Sequence, residues 1–554
     1  MRSTMQDVPL AISQLLDHGS TVHGAQRVFS ASPSGITETT FAEIGANAAR
    51  LAHALAGLGI APDDRVATFM WNSARHLEAY YGIPSMGCVV HPLNIRLPGD
   101  QIAYIANHAG DRAVIADASL LPLLTPLLDQ LATVEHLIVD GADEATLAAL
   151  RERPRPAGRP GLAVHDLDAL LAGRPATYDW PELDERDAAA ICYTSGTTGE
   201  PKGVAYSHRS IYLHALGTSV VDVLRMSAVD RLLCVVPQFH VLAWGVPYGA
   251  LLTGAELVMP GSRLAPGPLA EVITATRPTK AVGVPTIWAG LLEYVQANGT
   301  DISCMTEAVV GGAACPPALF DAYDRLGVTL VHGWGMTETS PMGTVSRPPA
   351  GLSAEETRRY RLSQGRLAGP VQARLIGPDG TRLPWDGTSA GELEVRGPWI
   401  TGGYLGDESG REHAGSFHDG WLRTGDVGTI TPDGFLTLTD RSKDVIKSGG
   451  EWISSVELEN HLMSHPAVLE AAVIGVADER WGERPLACVV VREGVTVDFA
   501  ALRDYLDGRV ARWQRPERWV AIPEVPKTSV GKFDKKRLRA AYANGELKPR
   551  LLIG

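Results

Sequence analysis

Three features of this sequence predict an α/β fold, with mainly parallel sheets in a large N-terminal domain and a small α/β domain behind it. Amphipathic helical periods alternate throughout with short apolar runs of strand length, a pattern that lays helices across parallel sheets. A Gly- and Thr-rich loop leaves one of these apolar runs at residue 193, and ligands of open α/β sheets bind where strands end. Near residue 440 the texture changes, and strand-and-turn sequence (TITPDGFLTLTD) gives way to RSKDVIKSGGEWIS.

Taken in order, Thr40-Phe-Ala-Glu43 predicts a capping box opening the helix FAEIGANAARLAHALAGLG. Residues 65–70 predict a strand. Residues 151–187, rich in Pro, Arg and acidic side chains, predict a surface connection. Residues 232–255 carry no charge and are long enough to span a bilayer. Gln238, His240, two prolines and three glycines would break a spanning helix there. The segment therefore predicts a buried strand–loop–helix passage suited to the wall of an apolar pocket. Past residue 440, Ser454-Ser-Val-Glu457 predicts a second capping box, and AVLEAAVIGV and LACVVVREG predict strands. At 554 residues the chain is too long for one core, since domains average roughly 150 residues. We place the boundary so that residues 1–442 form the large domain and 443–554 the small one.

Composition narrows the function. Apolar residues make up 45% and charged residues 20%, with a net charge of −13. That balance points away from nucleic acid or an anionic membrane as main partner. Six scattered cysteines without a C-x-x-C pair suit a reducing cytoplasm and supply neither a disulfide framework nor zinc spacing. The N-terminal stretch lacks the basic start and unbroken apolar run of a signal peptide.

The most informative stretch is YTSGTTGEPKG, residues 193–203. Gly196, Gly199 and Gly203 allow sharp turns that expose backbone N–H groups. Thr194, Ser195, Thr197 and Thr198 add hydroxyls, and Lys202 adds positive charge. This surface suits polyphosphate, although its spacing is not that of a P-loop kinase. The loop resembles the phosphate-loop signature of the acyl-adenylate-forming (ANL) superfamily. Five further stretches resemble that family's series in order: GWGMTETSP, GELEVRGPWITGGYLG, DGWLRTGDVG, DRSKDVIKSGGEWISSVELE and PKTSVGKFDKKRLR.

The resemblance implies a role for each matching residue. Glu338 would contact Mg2+, which favours carboxylate with phosphate and water oxygens, and Thr337 would donate to the α-phosphate. Trp334 would stack on adenine, with Gly335 and Gly312 lining the nucleotide pocket. Asp426 would accept both ribose hydroxyls, one per carboxylate oxygen, and Arg441 would support ribose or phosphate. Lys532, singled out among neighbouring lysines by its Gly531-Lys532 context, would bridge the attacking carboxylate and the α-phosphate. Lys443 matches the hinge about which the small, mobile domain rotates. Ser448-Gly449-Gly450 resembles the loop laid along coenzyme A. His240 stands where amino-acid-activating members place an aspartate, which weighs against an amino-acid substrate. His240 and Trp244 resemble acyl-pocket residues of bacterial medium- and long-chain fatty acyl-CoA synthetases, with Trp244 as a gate.

The expectation is thus an ATP- and Mg2+-dependent fatty-acid:CoA ligase of the cytoplasm working through acyl-AMP. Related fatty acyl-CoA synthetases include dimers, and lipid substrates leave room for peripheral membrane contact. Alternatives are an aryl-acid CoA ligase, an acyl-AMP ligase serving a carrier protein, and, from a different class, a non-catalytic nucleotide-binding regulator. The presence of Thr337, Glu338, Asp426 and Lys532 argues against the last.

Overall fold

The computed structural model describes the chain apart from residues 2, 155, 157–160, 195–199, 408–412, 442, 449–450, 496–497, 529–531 and 553–554. Two sheets form the large domain. The seven-stranded one runs Ala163–Asp166, His136–Asp140, Asp111–Asp117, Arg65–Phe69, Val89–Pro92, Ala188–Tyr193, Gly203–Ser207. All neighbours are parallel except the last pair, a hairpin whose tip carries the Gly/Thr loop.

The 15-stranded sheet has the antiparallel strand Gly35–Thr40 at one edge and then pairs in parallel, from Arg27–Ser32 through Glu256–Met259, Arg231–Cys234, Lys280–Gly283 and Glu307–Val310 to Thr329–Gly335. From Met342–Val345 to Phe435–Arg441 the same sheet continues antiparallel. Most strands here are joined without a crossover helix, so they fold back on one another. Helix–strand alternation along the whole chain does not reveal this change.

Helices Phe41–Gly57, Ala74–Ser85 and His208–Ser219 share one apolar core with strands of both sheets. The first of them is opened by the expected capping box between Thr40 and Glu43. The passage 232–255 is the expected strand, loop and helix, with Leu232, Leu242, Val246 and Leu251 buried. Among the described residues no helix is long and apolar enough to cross a membrane. The segment 151–187 is more ordered than a surface connection: it holds the edge strand Ala163–Asp166 and helix Leu167–Leu171. In that strand only Val164 is buried, so its sequence carries little strand signal.

The six-stranded sheet of the small domain starts at Ile446–Ser448 and is built around the paired strands Val468–Asp478 and Gly482–Val491. At helix Ser455–Met463, Ser454 accepts from the Glu457 N–H, while its own hydroxyl donates to the Thr439 carbonyl of the large sheet. A buried polar cluster sits at this joint. Asp440 accepts from the Ser455 N–H and hydroxyl at 2.6 and 2.5 Å. Lys535 donates to Ser455 Oγ at 2.6 Å and pairs with Glu459 at 2.7 Å. Burial opposes the Lys535 ammonium, but Glu459 and Asp440 hold it above its ordinary range. Lys535→Ala would leave two buried carboxylates unpaired, and is expected to cost about 3–5 kcal/mol in denaturant unfolding followed through the small domain.

Candidate active site

The base of the Gly/Thr loop is closed by two bonds. Thr194 N–H donates to the Lys202 carbonyl at 2.9 Å, and Lys202 N–H donates to Thr194 Oγ1 at 3.3 Å. Ser195, Gly196, Thr197, Thr198 and Gly199 lie outside the described residues. Just beyond, the Gly203 carbonyl accepts from Leu405 N–H at 2.8 Å, which sets Tyr404 beside the loop. Lys202 Nζ lies 4.7 Å from the Tyr404 ring centroid, and the Tyr404 hydroxyl donates to Glu338 Oε1 at 2.9 Å. Burial raises the Glu338 carboxyl, opposed by Tyr404 and by the Arg441 and Lys202 charges. The neighbouring Thr337 is fixed through its carbonyl, which accepts from Tyr206 at 2.7 Å. Sequence reasoning missed Tyr404 and Tyr206. Tyr404 sits inside a quoted motif, but only the fold brings it to Glu338.

A second group centres on Asp426, which is 4% exposed. Trp334 Nε1–H donates to Asp426 Oδ2 at 2.7 Å, and Arg441 Nε lies 3.2 Å from Oδ1. Each carboxylate oxygen thus keeps one acceptor direction for a ligand. Two glycines set the Trp334 ring. A Cβ on Gly335 would fall 1.6 Å from the Pro341 carbonyl, and one on Gly343 would fall 2.2 Å from Trp334 Cζ3. Gly343, unremarked in the sequence, is the floor under the indole.

Lys532 enters this constellation from the small domain. A Cβ on Gly312 would lie 3.7 Å from Lys532 Cε. Burial, then the Arg441 charge, lower the Lys532 ammonium to about 8 against the pull of Asp426 and Glu338. Its backbone is held by Thr528, which accepts from Lys532 N–H at 3.2 Å and donates its own N–H to the Lys532 carbonyl at 2.7 Å.

One of the acyl candidates, Trp244, also lies beside Gly312. Residues Val241 to Trp244 have φ between 48° and 57° and Gly245 has φ 70°, a left-handed turn costing about 1–2 kcal/mol per non-glycine residue. The turn seats Trp244 against Gly311 and Gly312, its ring atoms 3.4 and 3.9 Å from where their Cβ atoms would lie. His240 opens the turn. Burial first, then the Lys532 and Arg96 charges, lower its imidazole to about 3, so it is neutral at working pH.

At the candidate hinge, Lys443 is lowered by burial and then by Arg441, and its carbonyl accepts from Arg539 at 3.3 Å. Ser448 is buried in the small sheet, accepting from Arg484 at 3.1 Å; Gly449 and Gly450 are outside the described residues. Among the described residues no group of three or more His, Cys, Asp or Glu side chains could hold a metal. The single carboxylate of Glu338, with one oxygen on Tyr404, nevertheless fits Mg2+. That ion takes one or two carboxylates and completes its shell with phosphate and water.

The profile of the AMP-binding enzyme family matches residues 19–405, and that of the AMP-binding enzyme C-terminal domain matches residues 457–532. The chain belongs to the AMP-binding enzyme family. It is 45% identical to 3-methylmercaptopropionyl-CoA ligase of Ruegeria pomeroyi, over 98% of this chain and 99% of that one. It is 42% identical to a medium-chain-fatty-acid–CoA ligase of Ectopseudomonas oleovorans, over 98% of each chain. The crystal structure of the anthranilate CoA ligase AuaEII in complex with anthranoyl-AMP superposes with a TM-score of 0.83 at 25% identity, covering 98% of this chain and 100% of that one. With CoA ligases matching it end to end, this family member is an acid–thiol ligase. Gly343→Ala is expected to tilt the Trp334 ring and raise KM for ATP by ~10–100-fold, read by pyrophosphate exchange with folding checked by circular dichroism.

Proposed function

We propose that this chain is an AMP-forming CoA ligase for alkyl carboxylic acids of the fatty-acid kind, with its small domain, residues 443–554, serving two half-reactions in turn. The observation that carries this reading is the insertion of Lys532, from the small domain, among Gly312, Asp426, Glu338 and Arg441 of the large one.

A carboxylate is a poor electrophile because its carbonyl carbon already shares negative charge. In the first half-reaction its oxygen attacks the α-phosphorus of ATP. The bond to the bridging oxygen breaks and pyrophosphate leaves. Lys532 supplies the cation between two anions that must approach each other, and Thr337 with the loop at 194–202 holds phosphate oxygens. Trp334 would stack on adenine, and Asp426 offers the ribose hydroxyls its remaining acceptor directions. Glu338 would hold Mg2+, whose contribution when bound is to neutralise phosphate charge. In the second half-reaction the small domain turns about Lys443, withdrawing Lys532 and bringing the 448–450 loop toward coenzyme A. The thiol then displaces AMP from the acyl carbon.

The fatty-acid reading rests on the charge-free wall at 241–244 and on a neutral His240, which offers an ammonium group no negative partner. A second reading is a short thioether acid such as 3-methylmercaptopropionate, favoured by the 45% identity to a 3-methylmercaptopropionyl-CoA ligase over 98% of this chain. Pyrophosphate release is to be screened across acids from acetate to oleate, with 3-methylmercaptopropionate and cinnamates, with and without coenzyme A. Dependence on coenzyme A with a saturated alkyl optimum is expected; a cinnamate optimum would overturn the substrate assignment.

Lys532→Ala is expected to cut pyrophosphate exchange by about 10²–10³-fold while leaving conversion of supplied acyl-AMP to thioester nearly intact. Equal loss of both would refute the division of roles. Because the charged lysine is the active form and its folded value is about 8, kcat/KM for ATP in exchange should be full below pH 8 and fall as pH rises through it.

A further inference from the structure

A narrow cavity adjoins the candidate site, bounded by His91, Asn94, Tyr193, Thr194, Phe239 and His240 among others. Thr194 and His240 belong to the site already described. Trp334, Asp426, Trp244 and Lys532 do not line this cavity. It therefore adjoins the phosphate loop through Thr194 and the acyl wall through His240, but is set apart from the Trp334–Asp426 pair and from the adenylating lysine. The 448–450 loop is assigned to the arm of coenzyme A, but no group has yet been assigned to take the proton of its reacting thiol.

His91 stands on strand Val89–Pro92, and Asp111 starts strand Asp111–Asp117 on the other side of strand Arg65–Phe69. Its side chain is 1% exposed and that of Asp111 is 0% exposed. His91 Nδ1 lies 3.0 and 2.9 Å from the two Asp111 oxygens. Nε2 is buried and has no hydrogen-bond partner among the described residues. Leaving a buried ring nitrogen unpaired costs free energy, and here that nitrogen belongs to a side chain that lines the cavity. With Nδ1–H donated to a carboxylate, the tautomer is fixed and Nε2 presents a bare lone pair. Tyr193 does not satisfy it: the rings are 5.2 Å apart at their centroids, and the phenol is hydrogen-bonded to His108 Nδ1 at 2.6 Å. Burial raises the Asp111 carboxyl, and the His91 and Arg65 charges oppose that rise. The neutral His240 also lines the cavity, and the Lys532 and Arg96 charges act on it.

We propose that His91, oriented by Asp111, is the base that takes the thiol proton of coenzyme A during thioester formation. This step rests on the ligase reading above. As sulfur bonds to the acyl carbon, the S–H proton passes to His91 Nε2. The bond from that carbon to the phosphate oxygen breaks, and its electron pair leaves with AMP. The imidazolium is stabilised by the Asp111 carboxylate and returns its proton to solvent after release. At about 10 Å³ the cavity has room for a single head atom; the arm behind the sulfur needs the space that turning of the small domain opens.

The test uses the full-length enzyme, chemically supplied acyl-AMP and saturating coenzyme A. In His91→Gln and His91→Asn, thioester formation at pH 7 should fall by about 10²–10⁴-fold, while pyrophosphate exchange in the same preparations stays near the unaltered enzyme's. The residual rate should climb about tenfold per pH unit toward the thiol's own ionisation at about 8.5, a steeper dependence than that of the unaltered enzyme. Asp111→Asn, which disturbs the tautomer, should lose part of the same half-reaction and spare exchange. Unimpaired thioester formation in the His91 variants would overturn the proposal, and so would parallel loss of both half-reactions with an unchanged pH profile. If the unaltered enzyme makes no thioester from any acid, the ligase reading itself fails instead.

Discussion

The site depends on one cation brought in from elsewhere in the chain. Lys532 belongs to a small domain with its own sheet and apolar clusters, yet its ammonium sits among Asp426, Glu338 and Arg441 of the large domain, next to Gly312. Burial lowers the lysine and two carboxylates pull it back, so the position is held by charge and shape together. A cation delivered this way can be withdrawn without disturbing Trp334, Thr337, Glu338 and Asp426, which are held by contacts within the large domain. That is the physical basis for running two chemically different steps at one site.

The large domain, in turn, orients its carboxylates through its own side chains. Asp426 is gripped by Trp334 and Arg441, Glu338 by Tyr404, and the backbone of Thr337 by Tyr206. Pre-aligned dipoles and charges need not reorganise as the phosphate charge shifts, which is the economical way to stabilise it. The Asp440–Ser455–Lys535–Glu459 cluster does the same for the joint, fixing where the small domain starts.

Much of this was legible in the sequence, for physical reasons. Glycine loops, strand ends and capping boxes are local, so the loop base at 194–202, the helix from Phe41 and the strands around 65 and 188 follow from neighbouring residues. Other features needed three dimensions. The antiparallel half of the large sheet arises from how strands connect. The edge strand Ala163–Asp166 buries only one side chain clearly. Tyr404 meets Glu338 across 66 residues and Tyr206 meets Thr337 across 131, distances no spacing rule spans. The left-handed turn at Val241–Gly245 contradicts local preference, since β-branched Val241 ordinarily avoids that region, and Gly343 is legible only once the Trp334 ring lies over it.

The central claim is that one arrangement of the small domain serves adenylation and another serves thioester formation. Glu293 of the large domain and Arg492 of the small one face each other at 3.7 Å, with side chains 61% and 49% exposed. The direct measurement places cysteines at both positions, with the half-exposed Cys304 changed to Ser, and joins them with a short bismaleimide. The account predicts that the bridged enzyme still exchanges pyrophosphate into ATP but no longer turns supplied acyl-AMP into thioester. A fully bridged enzyme that performs both half-reactions at the unbridged rate would contradict it.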